Sequence, residues 1–351
     1  MARLCSIKRL HGQRGVVTIL FALVLMVLVG LIALAVDLTR LHLVKAELQN
    51  AADAAALAGA GSLIDTSLQT FNWSAATDKA QEFADVNSTD GKTIGQHRQE
   101  QNVNVAIQPG YWNLITPSFN SNTGLVTHTG DGNIPAVQVT ITLSHLKFFF
   151  APILGIPEGT VHATAIAAVS PPTGGTGLFP MAIGGCLFNL FWDSVNNTPK
   201  LNPATGQPYE VEVYSVYSGG AGASCNSGQW TSFQTDANDV PFIRDLIKNG
   251  NSIPLSIGDS IWIQPGTKTT IYGSVPTNVD VAVPVVDNVG ATHSHQTVIA
   301  IAGFHITGVV KHGNKSVVKG HFIPQSMVSN LHPGNGTGTP YGAYTPPFLV
   351  K

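Results

Sequence analysis

The longest apolar stretch of the chain lies near its N-terminus. Val16–Val36 reads VVTILFALVLMVLVGLIALAV, which is 21 residues without a charge. At a rise of ~1.5 Å per residue, such a helix spans the ~30 Å hydrocarbon core of a bilayer. The pattern therefore predicts a transmembrane helix at 16–36, whose anchoring apolar residues include Val16, Leu20, Phe21, Leu25, Leu28 and Val36.

Charges on either side of this stretch predict its orientation. Residues 1–15 contain Arg3, Lys8, Arg9 and Arg14 and no acidic residue, whereas Asp37 follows the stretch directly. By the positive-inside rule, residues 1–15 are a cytoplasmic basic segment and the rest of the chain is exported. A cleaved signal peptide is the alternative, since Ala33-Leu34-Ala35 has a small-x-small pattern. The apolar run exceeds the ~7–15 residues of a signal peptide and favours a retained anchor.

A second helical pattern follows without a break. In residues 37–61 apolar positions recur at intervals of three and four, as in a coiled-coil seam. The helix is expected to end near Gly59–Gly61, because glycine stops helices. Two readings of this predicted stalk helix stay open: the seam packs on the chain's own globular part, or it packs against similar helices in an assembly. The seam residues are Leu41, Val44, Leu48, Ala51, Ala55 and Ala58.

Beyond residue 62 the pattern changes to short alternating segments. Residues 74–87 and 242–248 have helical character, while the other periodic segments read as strands separated by Gly, Pro or Asn. That rhythm predicts an antiparallel sandwich or barrel, and the whole chain is expected to be α+β. The predicted strands are 137–143, 161–169, 210–217, 260–264, 281–286, 297–303, 305–311 and 316–323.

Loop-forming composition suggests how the exported part is divided. Residues 170–177 read SPPTGGTG, a boundary by composition, and the C-terminal residues are rich in Gly and Pro. The expected regions are the cytoplasmic segment 1–15, the transmembrane helix 16–36, the stalk 37–61, a first exported α/β region 62–170, a second β-rich region 178–332 and an irregular tail 333–351.

Composition narrows the partners and the compartment. The 351 residues are 44% hydrophobic and only 11% charged, with a net charge of −2, so nucleic acid is not an expected partner. Of the 3 cysteines, Cys186 and Cys225 follow the anchor. In an oxidising compartment they can form a disulfide, and the alternative is a pair of partly buried thiols.

The sequence offers little support for catalysis or a cofactor. Neither a dinucleotide fingerprint, a P-loop nor a Gly-x-Ser-x-Gly elbow occurs between suitable elements. His293 and His295 are spaced to share one face of a strand, which metals can use, yet no third ligand is evident. We therefore predict neither a catalytic nor a metal site. A membrane-tethered envelope enzyme or metal-binding protein remains the alternative function.

The segment Arg14–Ala60 closely resembles the N-terminal signature of TadE/TadG-like proteins. Arg14-Gly15 precedes the apolar run, AVDL closes it, and LQNAADAAALA follows. These proteins belong to the bacterial tight-adherence (Tad, Flp pilus) machinery. A weaker likeness continues through FFFAPILGI at 148–156, VHATA at 161–165 and PMAI at 180–183.

The resemblance implies an accessory protein of pilus assembly or secretion in the bacterial inner membrane, with its bulk periplasmic. Other Tad/Flp assembly proteins are the implied partners, and self-association through the stalk is a further expectation. Processed prepilins of this kind carry Glu five residues after the cleaved Gly, whereas Leu20 stands there after Gly15. A permanent anchor is therefore expected. Residues 65–69 and 193–197 do not complete the Asp-x-Ser-x-Ser metal motif that some TadG-like proteins carry.

Overall fold

The structure is a computed structural model that describes residues 14–125, 127, 130–215, 227–266, 268–287, 289, 293–311, 316–333 and 341–351. The predicted cytoplasmic segment lies almost entirely outside these residues, as does Cys225. The helices are α1 (Arg14–Gly61), α2 (Trp73–Val86), α3 (Ile94–Gln99), α4 (Gly185–Phe191) and α5 (Val240–Asn249), with 3-10 turns at Ala151–Leu154 and Ile271–Ser274.

The strands occupy most of the remainder. In chain order they are β1 (Ser88–Thr89), β2 (Lys92–Thr93), β3 (Val103–Asn113), β4 (Ser118–Asn120), β5 (Asn133–Lys147), β6 (Glu158–Ala168), β7 (Pro172–Gly175), β8 (Met181–Gly184), β9 (Trp192–Asp193), β10 (Thr198–Pro199), β11 (Val211–Ser215), β12 (Ser227–Trp230), β13 (Leu255–Ser256), β14 (Ser260–Ile263), β15 (Val279–Val286), β16 (Ser294–Val310), β17 (Val317–Phe322), β18 (Ser326–Met327), β19 (Leu331–Pro333), β20 (Ala343–Tyr344) and β21 (Phe348–Leu349).

Helix α1 joins the predicted anchor and the predicted stalk in one element of 48 residues. The segment has no proline, and its only glycine between Gly15 and Gly59 is Gly30, so nothing interrupts helical bonding over ~70 Å. The expectation of an unbroken helix ending at 59–61 is confirmed, since α1 ends at Gly61. Gly59 itself lies inside the helix, where a Cβ atom would stand 2.9 Å from the carbonyl oxygen of Ala76 in α2. Its role is close helix packing rather than termination.

The chain forms two compact units, each assembled from several segments. The first contains Met1–Ala51, Asp85–Val105 and Thr140–Ala163. The second contains Ala52–Ala84, Ala106–Val139 and Thr164–Lys351. The units are not consecutive parts of the sequence, because residues of both occur in α1, β3, β5 and β6. The division of the sequence into a region 62–170 and a region 178–332 stays a prediction.

A barrel forms the core of the second unit. The sheet order is β14-β16-β15-β8-β12-β11-β17, and the additional pairing of β17 with β16 closes a ring of six strands. Most pairings are antiparallel, as predicted, but β15 with β8 and β11 with β12 run parallel. Large buried side chains fill the core, among them Phe304 and Phe322, whose rings lie 5.4 Å apart. The α+β class and a mainly antiparallel, barrel-like β region are therefore confirmed.

Two local predictions need correction. The separate strands predicted at 297–303 and 305–311 form the single strand β16, because Gly303 is not a turn. A Cβ atom at Gly303 would stand 2.9 Å from the carbonyl oxygen of Gly342, so glycine there permits a close backbone approach. The tail is not wholly irregular, since β21 pairs with β6 through Phe348 and Ala168.

A five-stranded sheet has the order β21-β6-β5-β3-β4. Strand β5 ends at Lys147 and its neighbour β6 begins at Glu158, with the 3-10 turn Ala151–Leu154 between them. The intervening residues 148–157 form a loop that carries the apolar sequence FFFAPILGIP.

Candidate membrane-proximal clamp

Residues 17–36 of α1 are exposed around the circumference of the helix, except for the half-buried Ala33. The predicted anchor residues Leu20, Phe21, Leu25, Leu28 and Val36 are all exposed, while the side chain of Val16 lies outside the described part. Within the described residues, this is one helix long and apolar enough to cross a membrane. A fully exposed apolar surface on a helix of this length suits a lipid environment better than water.

The buried carboxylate of Asp37 stands directly after the apolar segment. Its side chain is 3% exposed. One carboxylate oxygen accepts the backbone N–H of Phe149 at 2.8 Å, and the other accepts those of Phe150 at 2.9 Å and Ala151 at 2.7 Å. The carboxylate thus satisfies three N–H groups of a loop more than 100 residues away in sequence.

The hydrogen bonds also determine the protonation state of Asp37. Burial alone would raise the pKa of this carboxyl group. The N–H groups of Phe149, Ala151 and Phe150 and the positive charge of Arg40 outweigh burial, so the pKa lies below its ordinary value. The group is therefore ionised at neutral pH and holds the loop as a charge-assisted acceptor.

One helical turn further, Arg40 contacts three different groups. One guanidinium nitrogen lies 2.8 and 2.9 Å from the two carboxylate oxygens of Asp90. Another nitrogen donates to the carbonyl oxygen of Lys147. The guanidinium also lies over the ring of Phe149, 4.6 Å from its centroid, in a cation–π arrangement.

Asp90 is presented by a tight hairpin that the sequence explains. Asp90 and Gly91 connect β1 and β2 with φ angles of 48° and 78°, the left-handed conformation that Asp-Gly pairs adopt in two-residue turns. The backbone N–H of Asp90 donates to the carboxylate of Glu47 at 2.8 Å. We call Asp37, Arg40 and Glu47 the clamp, because these side chains of α1 hold both the hairpin and the 147–151 segment.

The predicted seam of the stalk is largely covered by the chain itself. Val44, Leu48, Ala51 and Ala55 are buried, whereas Leu41 and Ala58 are half-buried. Burial within a single chain supports the reading in which the seam packs on the chain's own residues. Pairing of stalks through the same face stays a prediction.

The sequence does not predict the clamp, although it contains two signals of it. Asp37 and Arg40 are spaced three apart, on the same face of α1 as Val44 and Leu48. An Asp-Gly pair at 90–91 also marked a hairpin turn. What a single sequence does not show is that these two elements and residues 147–151 meet.

An aromatic groove is a second candidate surface, in the second unit. Phe71 stacks edge-on with Trp73 and Tyr344, and Trp73 with Tyr111, at centroid distances of 5.4–5.6 Å. Burial raises the pKa of Tyr111 to about 12 and also raises that of Tyr344, so both phenols are neutral. The groove, of about 390 Å³, therefore offers aromatic and uncharged polar contacts.

The histidines singled out in the sequence do not gather metal ligands. His293 and His295 both lie edge-on to Trp262 at 5.1 Å, and His295 is 3.0 Å from a carboxylate oxygen of Asp236. In the described ranges, no group of three or more His, Cys, Asp or Glu residues is arranged to hold a metal ion. The structure therefore adds no observation in favour of the metal-binding alternative.

The structure describes one of the two cysteines of the predicted disulfide. Cys186, in α4, is disulfide-bonded. Its predicted partner Cys225 lies outside the described residues, so the Cys186–Cys225 pairing stays a prediction.

The two Asp-containing strings compared above with a metal motif are turns. Asp65 accepts the N–H and the hydroxyl of Ser67, and Asp193 accepts the N–H groups of Val195 and Asn196. Such bonds are typical of Asx turns, which cap loops locally.

Comparisons with known families agree with these elements. Residues 15–62 match the TadE/G-like Flp pilus-assembly family, and residues 58–167 match the Tad-like Flp pilus-assembly family. A search of curated proteins found no match, and neither did a search of solved structures. The matched segments include α1, the clamp and the loop that it binds. Residues 15–167 therefore carry the family sequence of TadE/TadG-like and Tad-like Flp pilus-assembly proteins.

Proposed function

We propose that this protein is a membrane-anchored accessory factor of Tad/Flp pilus assembly or secretion. Residues 16–36 hold it in the inner membrane, residues 1–15 face the cytoplasm, and the bulk lies in the periplasm. The exported part acts by contact with other assembly proteins rather than by catalysis. The observation that carries the proposal is the pair of adjoining family matches, which begin at residue 15, one residue before the apolar helix segment.

The clamp supports a fixed rather than a swinging anchor. A helix that leaves a bilayer into water can bend where its packing ends. Here the first turn beyond the apolar segment is tied through Asp37 and Arg40 to residues 147–151 and to Asp90. The proposed role of the clamp is to fix the hairpin and residues 147–151 of the first unit relative to the membrane helix.

Leu20 supports a factor that stays in the membrane. Polymerising prepilins of the type that this chain resembles need Glu at the fifth position after the cleaved glycine, and this chain has Leu20 there. An uncut anchor is compatible with an assembly factor and not with a subunit that leaves the bilayer to join a fibre.

The aromatic groove is the surface we propose for contact with an assembly partner. It combines aromatic rings with the exposed residues Gln69 and Val195. Aromatic side chains contribute disproportionately to protein interfaces, since they bury large areas with few rotatable bonds. The side-chain amide of Gln325 fixes one wall by donating to the carbonyl oxygens of Asp65 and Thr70 at 2.9 and 2.8 Å.

Site-specific photo-crosslinking in cells tests this proposal. A photoreactive residue replaces Gln69 or Val195 in the groove, and the matched control carries it at exposed Ile253, which does not line the groove. The expected result is a crosslink from the groove positions to a Tad/Flp assembly protein that Ile253 does not give. Crosslinks only to unrelated envelope proteins, or equal yields from all three positions, would count against a groove-mediated contact.

A further inference from the structure

The loop held by the clamp exposes an unusual amount of apolar surface. Phe149 is 65% exposed, Ile153 84%, Leu154 70% and Ile156 54%. Residues 148–157 contain no charged residue. Single exposed apolar residues are normal on protein surfaces, whereas a contiguous group of large ones marks a surface that another phase or molecule covers.

The backbone of this loop is almost entirely satisfied from within the first unit. The N–H groups of residues 149–151 donate to Asp37. Those of Phe148, Ile153, Gly155 and Ile156 donate to the carbonyl oxygens of Pro157, Phe150, Pro152 and Ala151. Residues 152 and 157 are prolines and have no N–H to satisfy.

Such extensive pairing is what an apolar environment requires. In water, an exposed loop can leave its N–H groups to the solvent. In the hydrocarbon part of a bilayer no water is available to pair with an exposed N–H group, so a loop that enters it needs internal partners. Gly155, with φ +83°, allows the chain to close this compact shape.

The position of the loop points to the bilayer as the covering phase. Phe149 lines a groove together with Ile32, Ala35 and Val36, which belong to the apolar segment of α1. Ile32 precedes Asp37 by five residues, or ~7 Å of helix rise. The same groove is lined by Arg40 and Glu47, and the Arg40 guanidinium lies over the ring of Phe149. Phe149 therefore lies where the last turn of the predicted span meets the clamp.

We propose that residues 148–157 form a membrane-interface element that inserts its apolar tip between lipid headgroups beside α1. Interfacial elements bury their apolar face ~5–10 Å below the headgroup boundary. The element gives the first unit a second attachment to the bilayer, so that the helix and the loop together fix its orientation at the membrane surface. The inference rests on the proposed anchoring of α1 in the same membrane.

Depth measurement on the full chain in lipid nanodiscs tests the inference. A ketone-bearing residue is placed at Ile153, coupled to a nitroxide, and its collision rates with oxygen and with a polar nickel complex are compared by electron spin resonance. The same label at exposed Val86, at the end of α2, is the aqueous control. The label at exposed Met26, in the middle of the predicted span, is the buried control.

The expected result is a label at Ile153 that lies ~5–10 Å below the headgroup boundary, a label at Met26 near the bilayer centre and a label at Val86 in water. If Met26 is immersed while Ile153 is as accessible to nickel as Val86, the loop does not insert and the inference is overturned, although the anchor stands. If Met26 and Ile153 are both in water, the proposed anchoring fails and the inference fails with it.

Discussion

The ion pair between Arg40 and Asp90 is the clamp contact that mutation tests most cleanly. Arg40→Met removes the guanidinium while keeping an unbranched apolar side chain. Asp90→Asn removes the charge and suits the turn, because Asn tolerates the positive φ of 48° at this position. Neither change forces a new backbone conformation, so the loss in stability reflects the side-chain contacts.

Geometry and burial give the expected size of this coupling. One guanidinium nitrogen contacts both carboxylate oxygens, and the two side chains are 21% and 27% exposed. Hydrogen bonds between charged groups contribute ~1.5–3 kcal/mol when desolvated, and exposed ion pairs ~0–1 kcal/mol. Allowing for partial exposure, we expect a coupling free energy of ~1–2 kcal/mol between Arg40 and Asp90.

The assay is a double-mutant cycle on the purified full chain in detergent, with free energies of unfolding taken from denaturant titrations. The matched control is the cycle of Lys79→Met and Glu82→Gln on α2, whose side chains are 43% and 59% exposed. That helical pair is expected to couple by ~0.2–0.5 kcal/mol. A coupling between Arg40 and Asp90 no larger than the control value would refute the reasoning that the clamp is a partly desolvated, stabilising contact.

Further predictions concern packing, pH and local opening. Gly59→Ala should destabilise the protein by ~0.5–2 kcal/mol in thermal melts, because overpacking against the Ala76 carbonyl exceeds the ~1 kcal/mol gain in helix propensity. Gly61→Ala is the control and should be neutral or slightly stabilising, because the nearest atom lies 3.6 Å from the added Cβ. Equal effects of the two changes would contradict this packing. Burial and the charge of His305 lower the pKa of His321, so the unfolded chain binds this proton more readily than the folded one. The free energy of unfolding should therefore be highest above pH ~6.5 and fall as the pH drops below that value, and it should fall less in His321→Asn. The same pH profile in the variant and in the unmodified chain would reject this assignment. Asp37→Asn should raise amide hydrogen exchange at residues 149–151 roughly tenfold, and unchanged exchange would show that the carboxylate does not hold the loop.

The sequence predicted α1 well because its signals are local. An uncharged run of 21 residues and a seam with spacings of three and four can both be read from neighbouring positions in the sequence. In the structure both lie within the single helix α1. A β-rich part that forms a sandwich or a barrel was predictable for the same reason, since alternating segments such as 137–143 and 281–286 lie within observed strands. Its closure through β16 and β17 was not, because closure depends on which distant strands pair.

The clamp could not be predicted from the same signals. Asp37 reaches partners 112–114 residues along the chain, and periodicity around Asp37 says nothing about them. Gly303 shows a related difficulty. The sequence pattern predicts a break between two strands at this glycine, whereas in the structure the missing side chain lets the backbone at Gly342 approach closely. Glycine in a strand therefore has two meanings that only tertiary contacts separate.

The central claim is that this chain serves Flp pilus assembly from the membrane. A clean deletion of its gene, examined by counting surface pili in electron micrographs, tests that claim most directly, with the full chain supplied on a plasmid as the control. The account predicts loss or strong reduction of pili in the deletion strain and recovery with the plasmid. A deletion strain with a normal number of pili would contradict it.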